Sequence, residues 1–415
     1  MLALFALLAL SGVEGLAQDV ERYLAETDAA ARAKILSGIR RSVTEVEAEL
    51  RTPPRRPPAE ARGQVIRKRL VADHPLKVPF EYALYVPADY APEKRWRLLI
   101  SLHGQSGNGP DFTRNWLDDL RRDGETFLLC PSAGRGGWGR SLLGHAYVLD
   151  SLRDVLASYA IDPDRVFLDG ASMGGNGSFE FVCQYPDLFA GAAPRSGGPM
   201  FRFVKPGAKE VEPEGLENLA ATPIYWTFGA KDPKLPYDWV KTALARIEPL
   251  KLDVVVKEYP EGGHEWFPQE NAAVLAWMKS KTRTAYPARV GIATTDRRFG
   301  RRFWLEIADY KAKENVQRRF ADLEGKPIEE RLVFQEEIRV SAELSGNEIR
   351  ATSTGARELR IYLSEKMVDF TKPVVVTVNG RRSTFTPKPS LETLLESARR
   401  APGLLYVASV KVSVP

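Results

Sequence analysis

The fold predicted for this chain follows from one stretch of sequence, Val166-Phe167-Leu168-Asp169-Gly170-Ala171-Ser172-Met173-Gly174-Gly175-Asn176-Gly177. An apolar run that predicts a buried strand leads into Gly170-x-Ser172-x-Gly174, and a helical pattern follows it. So sharp a turn brings its neighbours close enough to collide with any side chain at positions 170 and 174, which therefore require glycine. The turn also holds the Ser172 hydroxyl clear of the sheet, at the start of a helix.

The same alternation of strand and helix patterns extends over residues 64–285. Apolar runs typical of strands occur at Tyr82–Val86, Arg97–Leu102, Thr126–Cys130, Val166–Leu168, Ala190–Ala193, Ile224–Phe228 and Val254–Tyr259. Helical runs lie between them at Phe112–Arg122, His145–Tyr159, Asn176–Tyr185, Trp239–Ile247 and Asn271–Lys279. Short buried strands that alternate with helices predict an α/β domain, with a doubly wound, mostly parallel sheet covered on both faces.

Two segments precede this domain. Residues 1–17 begin with the apolar run MLALFALLAL and end in small residues, which predicts a signal peptide cleaved after Ala17 and a secreted or periplasmic protein. Residues 18–63 carry apolar residues at helical spacing and then a Pro-rich stretch, which predicts a helical arm and an extended linker. The arm either packs on the main domain or moves freely.

Residues 288–415 form the last predicted domain. Their strand-like runs alternate apolar and polar residues, and Asn379-Gly380 follows one of them as a hairpin signal. The pattern predicts an accessory antiparallel β domain that resembles a small sandwich. Phe303, Trp304 and Tyr362 fit its core, although aromatic rings can also stack on sugars.

Composition excludes several classes of protein. Of the 415 residues, 44% are hydrophobic and 27% are charged, as in ordinary globular proteins. The net charge of +5 is too small for a dedicated nucleic-acid binder, and the apolar runs are too short for a membrane span. Two cysteines, Cys130 and Cys183, exclude a disulfide framework, and Cys183 fits a buried free thiol better than a pair. We expect no metal site and no cofactor.

Ser172 needs a base, because a serine hydroxyl is a poor nucleophile at neutral pH. In folds with this turn the order along the chain is serine, acid, histidine, and only His264 follows Ser172. The acid should follow the strand Ile224–Phe228, where Asp232 is the best candidate. Asp238 is the alternative, although it fits the beginning of the next helix better.

Donors for an oxyanion are expected on two elements. One amide should come from the loop after the strand that ends at Leu102, and the other from the residue after Ser172. We therefore assign the backbone N–H groups of Gln105 and Met173. His103 is expected to shape that loop rather than act as a base, and Ser106 is a weak rival nucleophile.

Pocket residues are predicted from the loops at the same edge of the sheet. Arg135 and Trp138 lie in a Gly-rich loop after the third predicted strand, Ser196 follows the strand after the Ser172 helix, and Trp266 lies beside His264. Each is a candidate substrate contact. Packing or solvation is the alternative for the tryptophans and for Arg135, and also for Arg195, which would suit a carboxylate or a carbohydrate.

These motifs together resemble the α/β-hydrolase superfamily over roughly residues 78–283. The resemblance is carried by His103-Gly104, Asp162-Pro163-Asp164-Arg165-Val166, the stretch from Gly170 to Gly175, and Gly263-His264. Within this superfamily the chain is similar to the group of esterases, feruloyl esterases and polyhydroxybutyrate depolymerases. That group also resembles peptidases of the prolyl oligopeptidase clan. The resemblance implies an α/β-hydrolase sheet and a triad of Ser172, Asp232 and His264.

Three hypotheses for the function follow. The first is a secreted serine hydrolase that cleaves a small ester, a polyester or a carbohydrate-linked ester through an acyl-enzyme. The second is a serine peptidase, because the two reactions use the same machinery. The third is a non-catalytic binding protein on a hydrolase fold. The oligomeric state does not follow from the sequence.

Overall fold

The computed structural model describes residues 15–52, 61–134, 136–139, 141–203, 211–321 and 325–415, with only the backbone of 201–203 and 211–212. The chain divides into two compact units. The larger unit consists of the described parts of Pro53–Arg302 and Ala312–Arg339. The smaller unit consists of the described parts of Met1–Thr52, together with Phe303–Lys311 and Val340–Pro415.

The larger unit is built on an eight-stranded sheet. Its strands are β1 (Val65–Val71), β2 (Pro79–Tyr85), β3 (Trp96–Leu102), β4 (Thr126–Pro131), β5 (Ile161–Ala171), β6 (Gly191–Arg195), β9 (Ile224–Gly229) and β10 (Val254–Tyr259). Across the sheet they lie in the order β1-β2-β4-β3-β5-β6-β9-β10. β2 pairs antiparallel with β1 and β4, and the pairs from β4 through β10 are parallel. The predicted α/β class and mostly parallel sheet are confirmed.

Helices cover both faces of this sheet because its central strands are apolar on both sides. All seven residues of β3 are buried. Leu98 and Ile100 belong to one apolar cluster, and Leu99 belongs to another. The helices of this unit are α4 (Gly109–Phe112), α5 (Leu117–Asp123), α6 (Leu142–Ser158), α7 (Met173–Gln184), α8 (Tyr237–Leu250) and α9 (Asn271–Ser280).

The parallel arrangement collects several loops at one edge of the sheet. β3 ends at Leu102, β5 at Ala171, β9 at Gly229 and β10 at Tyr259. Because the carboxyl ends of parallel strands meet at the same edge, the loops that follow these four strands lie close together. These loops carry the residues that the sequence singled out.

A β-hairpin from the C-terminal part of the chain belongs to the larger unit. It comprises β14 (Val316–Ala321) and β15 (Pro327–Val333). On β15, the Glu329 carboxylate lies 3.2 Å from His74 Nε2 and accepts the Leu142 N–H at 2.9 Å, while Ile328 joins the main core. The unit also contains β7 (Phe201–Phe203), β8 (Val211–Pro213), β11 (Arg289–Thr294) and β12 (Arg301–Arg302).

This grouping differs from the predicted boundary near residue 288. Residues 289–302 and 312–339 belong to the larger unit, although their sequence alternates like that of the strands around them. Alternation predicts a strand with one buried face, but it does not say which core the face joins.

The smaller unit contains two groups of paired strands. One group consists of β13 (Leu305–Tyr310), β18 (Ala356–Leu363) and β21 (Ala408–Ser413), and the other of β16 (Ile338–Ser345), β17 (Glu348–Thr354), β19 (Val374–Val378) and β20 (Arg381–Phe385). The predicted hairpin is confirmed, because Asn379 and Gly380 both have positive φ between β19 and β20. The strands of this unit pair antiparallel, as predicted, between β13 and β18, β18 and β21, and β19 and β20, whereas β17 and β19 run parallel.

The aromatic residues considered for sugar stacking in this unit are buried. Trp304 is fully buried, Phe303 and Tyr362 are nearly so, and the Tyr362 hydroxyl donates to Glu306. Burial favours their role in the core and removes the basis for stacking on a carbohydrate.

The N-terminal helices pack within the smaller unit. Residues 15–25 form helix α1, which is followed by α2 (Ala29–Gly38) and α3 (Val43–Leu50). Together with α10 (Leu391–Arg400), a helix that we did not predict, they bury an apolar cluster that includes Val46 and Leu394. The Tyr23 hydroxyl and the Arg32 guanidinium both donate to Glu396 of α10. The arm is therefore not free, because it packs within the smaller unit.

The predicted signal peptide falls mainly outside the described residues, which begin at 15. Its predicted cleavage point, after Ala17, lies within α1, and Ala17 is buried. The Pro-rich stretch of the predicted linker also lies outside the described residues. Among the helices of the described chain, none combines the length and the apolar character that crossing a membrane requires.

Both cysteines are buried and free. Burial raises the pKa of Cys130, and it raises the pKa of Cys183 to about 12. The interpretation of Cys183 as a buried free thiol is confirmed.

His145 on α6 makes the larger unit sensitive to acid. The side chain is fully buried, its Nε2–H donates to the Gly139 carbonyl, and the Tyr185 hydroxyl donates to Nδ1 at 3.0 Å. These contacts use both nitrogens of the neutral ring. Burial lowers the pKa of His145 to about 4, and the charge of Arg331 acts in the same direction.

We predict that stability falls between pH 6.5 and pH 4. In this window the unfolded chain binds a proton at His145 and the folded chain does not, so each pH unit costs up to about 1.4 kcal/mol. Thermal unfolding measured from pH 7.5 to 4.5 should show this slope, and His145→Gln, which cannot titrate, should reduce it. An equal slope in both proteins would contradict the assignment.

Candidate active site

Ser172 lies at the junction of β5 and α7. Its backbone has φ 59° and ψ −118°, a conformation that residues other than glycine rarely adopt. A Cβ at Gly174 would lie 1.9 Å from the Leu102 carbonyl oxygen, and a Cβ at Gly170 would lie 2.5 Å from the Gly174 carbonyl oxygen. Both positions therefore exclude any larger residue, as the sequence predicted.

The structure brings Ser172, His264 and Asp232 into one hydrogen-bonded chain. The Ser172 Oγ lies 2.7 Å from His264 Nε2, and His264 Nδ1 lies 2.8 Å from Asp232 Oδ2. The Asp232 side chain is fully buried, while 19% of the His264 side chain is exposed. The base is thus partly open to solvent, whereas the acid is closed off from it.

Backbone contacts fix Asp232 toward His264. The Lys234 and Leu235 N–H groups donate to Asp232 Oδ1 at 2.7 and 3.1 Å, which leaves Oδ2 for the histidine. The Lys231 N–H donates to the Gly262 carbonyl at 3.0 Å and so ties the acid loop to the histidine loop.

The alternative acid, Asp238, has another role. It lies in the first turn of α8, which begins after Pro236, and its side chain is 87% exposed. It pairs with Lys241 of the same helix. Asp238 therefore supports the helix N-terminus, although it is not the capping residue itself.

The two predicted oxyanion donors come from neighbouring segments. Met173 is the first residue of α7, where backbone N–H groups have no carbonyl partner in their own helix. Gly104, which precedes Gln105, lies beside the serine, since a Cβ at Gly104 would be 3.6 Å from the Ser172 Cβ. The arrangement places both loops next to Ser172.

His103 holds the loop that carries Gln105. Its Nδ1 lies 2.6 Å from the Gly104 carbonyl oxygen, and the Ala133 N–H donates to Nε2 at 2.9 Å. The ring is therefore neutral, with its proton on Nδ1, and burial lowers the pKa of His103. Both ring nitrogens contact backbone, which supports the predicted loop-shaping role.

Trp138 lies behind this loop and is 2% exposed. Its indole N–H donates to the His103 carbonyl at 2.9 Å, and its ring packs edge-on against the His103 ring. The prediction of a substrate contact is replaced by packing, because the side chain supports the loop from the core. Arg135, of the same predicted set, lies outside the described residues.

Arg195 and Ser196 differ from the predicted pocket because both are buried, whereas the substrate contact of Trp266 stays a prediction. Arg195 is fully buried and pairs with Asp169 at 3.3 Å, so it is not a surface anion site. Ser196 is 3% exposed, and its hydroxyl contacts the Glu265 backbone. Trp266 is half-buried, and its ring lies over the Arg195 guanidinium. Arg195 and Ser196 contact the histidine loop, and Trp266 lies on it.

Three residues of this network, Asp169, Trp116 and Asn271, were not predicted from the sequence. Asp169 lies in the decisive stretch, and its buried carboxylate accepts from the Trp116 indole at 2.5 Å, while Asn271 accepts from Arg195 at 2.7 Å. Burial raises the pKa of Asp169, and the Arg195 charge opposes that shift. A charged residue within an apolar strand was the one available signal for Asp169.

Within the described part of the chain, no group of three or more His, Cys, Asp or Glu side chains could hold a metal ion.

Comparison with known proteins finds esterases. No protein-family model matches the chain. A probable feruloyl esterase C of Aspergillus niger is 26% identical over 165 residues, which cover 38% of this chain and 57% of that protein. The bifunctional acetylxylan esterase/xylanase XynS20E of Neocallimastix patriciarum is 29% identical over 225 residues, which cover 50% of this chain and 31% of that protein.

Among solved structures, a thermostable esterase aligns over 53% of this chain and 63% of its own, with a TM-score of 0.44 and 23% identity. The chain spans little more than half the length of the curated feruloyl esterases that it matches. The curated relatives include feruloyl esterases and carboxylesterases, so the resemblance inferred from the residues is confirmed.

Proposed function

We propose that the chain is a serine hydrolase that cleaves carboxylic esters through an acyl-enzyme. The hydrogen-bonded chain of Ser172, His264 and Asp232 at the carboxyl edge of the sheet carries this proposal. The esterase names of the curated relatives support an ester as the substrate.

The first half of the reaction uses the neutral form of His264. The Ser172 hydroxyl donates to His264 Nε2, which takes its proton as the oxygen attacks the ester carbonyl. The His264 Nδ1–H donates to Asp232, whose carboxylate fixes the tautomer and stabilises the imidazolium. Because Asp232 is buried and its other oxygen is held by backbone N–H groups, the ring keeps its orientation.

The backbone N–H groups of Gln105 and Met173 stabilise the oxyanion of the tetrahedral intermediate. Each such donor contributes about 100–1,000-fold to the rate. The intermediate collapses when imidazolium returns its proton to the leaving alcohol, which leaves the acyl group on Ser172. A water molecule, deprotonated by His264, then attacks the acyl carbonyl, and the imidazolium returns the proton to the Ser172 oxygen as the acid is released. The steps need no metal ion and no organic cofactor.

Two alternatives use the same residues. A serine peptidase would run the same steps on an amide, and the esterase names of the relatives favour the ester. A non-catalytic binding protein would have no use for the strained backbone at Ser172 or for the buried Asp232.

The proposed location is outside the cytoplasm, after cleavage following Ala17. N-terminal sequencing of protein exported by a suitable host should give Gln18 as the first residue. Deletion of residues 2–10, which removes most of the apolar run, should abolish export. Exported protein that retains Met1 would contradict this proposal.

Ester hydrolysis is tested with aryl acetates, an aryl butyrate, a methyl ferulate and a peptide anilide. Ser172→Ala should reduce kcat on the best ester by at least about 10⁴-fold, because no other nucleophile can replace the hydroxyl. Ser106→Ala is the matched control and should retain activity. Turnover of the anilide alone would favour a peptidase, and turnover by Ser172→Ala would contradict the assignment of the nucleophile.

A further inference from the structure

The loop that carries His264 lacks regular secondary structure. It runs from the end of β10 at Tyr259 to a 3-10 turn that begins at Pro268. Phe267 within it has a φ of 55°, which is unfavourable for a side chain of that size. Such a loop needs outside contacts to hold a side chain within hydrogen-bond reach of Ser172.

Ser196 supplies the first of these contacts, on the residue directly after His264. The Ser196 hydroxyl donates to the Glu265 carbonyl at 2.7 Å and accepts the Glu265 N–H at 3.1 Å. Ser196 itself has a φ of 44°. One hydroxyl thus satisfies both backbone groups of Glu265, from a strained position that the surrounding structure must maintain.

Arg195 supplies the next contacts along the same loop. Its Nη1 donates to the carbonyls of Trp266 and Phe267 at 3.2 and 3.0 Å, and to Asn271 Oδ1 at 2.7 Å. The guanidinium lies 4.2 Å from the ring centroid of Trp266 and 4.9 Å from that of Trp116. The planar fork of arginine suits several carbonyl acceptors and two ring faces at once.

Asp169 fixes the other side of the guanidinium. Its Oδ1 accepts from Arg195 Nε at 3.3 Å, and its Oδ2 accepts from the Trp116 indole. Asp169 is also fully buried, so the pair is removed from water. A buried ion pair is a weak source of stability, because desolvation offsets its attraction. The pair instead fixes the orientation of the Arg195 guanidinium toward the histidine loop.

Arg195 also contacts the nucleophile side of the site. Its carbonyl accepts the Ser172 N–H at 3.0 Å, and it pairs with Ala171 in the parallel ladder of β5 and β6. The backbone of one residue therefore holds the serine, while its side chain holds the loop of the histidine.

We infer that Arg195 and Ser196 are positioning residues, which hold the backbone of residues 265–267 so that His264 stays within hydrogen-bond distance of Ser172. This inference rests on the proposed function for its kinetic consequence only. The two residues do not touch the reacting atoms with their side chains, so they act on the proton transfer rather than on binding of the ester.

The test uses Ser196→Ala, Ser196→Gly and Arg195→Met in the full chain. Each should lower kcat on an aryl ester by about 10–100-fold with KM nearly unchanged, because a displacement of about 1 Å at the base costs about that much. Phosphonylation of Ser172 by a fluorophosphonate should slow to a similar degree. Ser196→Gly removes the backbone strain together with the hydroxyl, so a similar loss in both Ser196 variants assigns the effect to the hydroxyl.

Arg195→Lys tests whether the shape of the guanidinium group, rather than its charge, is required. Lysine keeps the charge beside Asp169 but cannot reach the acceptors of Arg195 together, so we expect no recovery of kcat. Recovery with lysine would show that charge alone matters.

Matched controls separate positioning from folding. Arg283→Met removes another buried arginine that contacts a carboxylate, Asp164, and Ser151→Ala removes another buried serine hydroxyl, which donates to the Tyr147 carbonyl. Both controls should lower thermal stability as much as the test variants do, with kcat unchanged. The comparison takes the three test variants and the two controls together and leaves Arg195→Lys out. If kcat falls in proportion to thermal stability in all five, the positioning role is wrong.

A proton NMR readout keeps this inference separate from the proposed function. The His264 Nδ1–H that donates to Asp232 should give a low-field signal, identified by its absence in His264→Gln. We expect the signal to broaden or vanish in Ser196→Ala. If wild-type protein cleaves no ester but this change occurs, the proposed function fails and the positioning role stands. If wild-type protein is active and both signal and kcat persist in Ser196→Ala and Arg195→Met, the positioning role is overturned.

Discussion

The close approach of α7 to the end of β3 determines the geometry of the site. At Gly174 the helix backbone is so near the Leu102 carbonyl that a Cβ would lie 1.9 Å from the oxygen. This contact forces the sharp turn at Ser172 and its positive φ. The same contact brings the loop after Leu102, with Gly104, against the serine. The nucleophile and one predicted oxyanion donor are thus placed by a single backbone packing constraint.

The base is placed differently, because its loop has no regular structure. Backbone hydrogen bonds join it to the Asp232 loop on one side, and the side chains of Arg195 and Ser196 hold it on the other. The buried Asp169–Arg195 pair lies at the centre of this second set. Backbone strain and buried charge therefore occur where three separate loops must bring their side chains within hydrogen-bond distance of one another.

Local patterns were sufficient for the fold class and for the residues that meet at Ser172. Buried apolar strands predicted the parallel sheet, and chain order together with a single downstream histidine selected His264 and Asp232. The prediction of Trp138 and Arg195 as contacts at the site surface was wrong for a physical reason. A position after a strand indicates the edge of the sheet where a residue lies, but burial of Trp138 and Arg195 depends on packing between segments distant in sequence. The hairpin of residues 316–333 and the packing of the N-terminal helices on α10 likewise depend on contacts between segments distant in sequence.

In the proposed mechanism, Ser172 is the residue that becomes acylated. The most direct measurement is the intact mass of the protein after rapid mixing with an aryl ester and quenching in acid, followed by peptide mapping of the adduct. We expect one acyl group per chain, on the peptide that contains Ser172, formed together with a burst of the aryl alcohol. An acyl group on Ser106 or elsewhere, or turnover without any adduct, would contradict it.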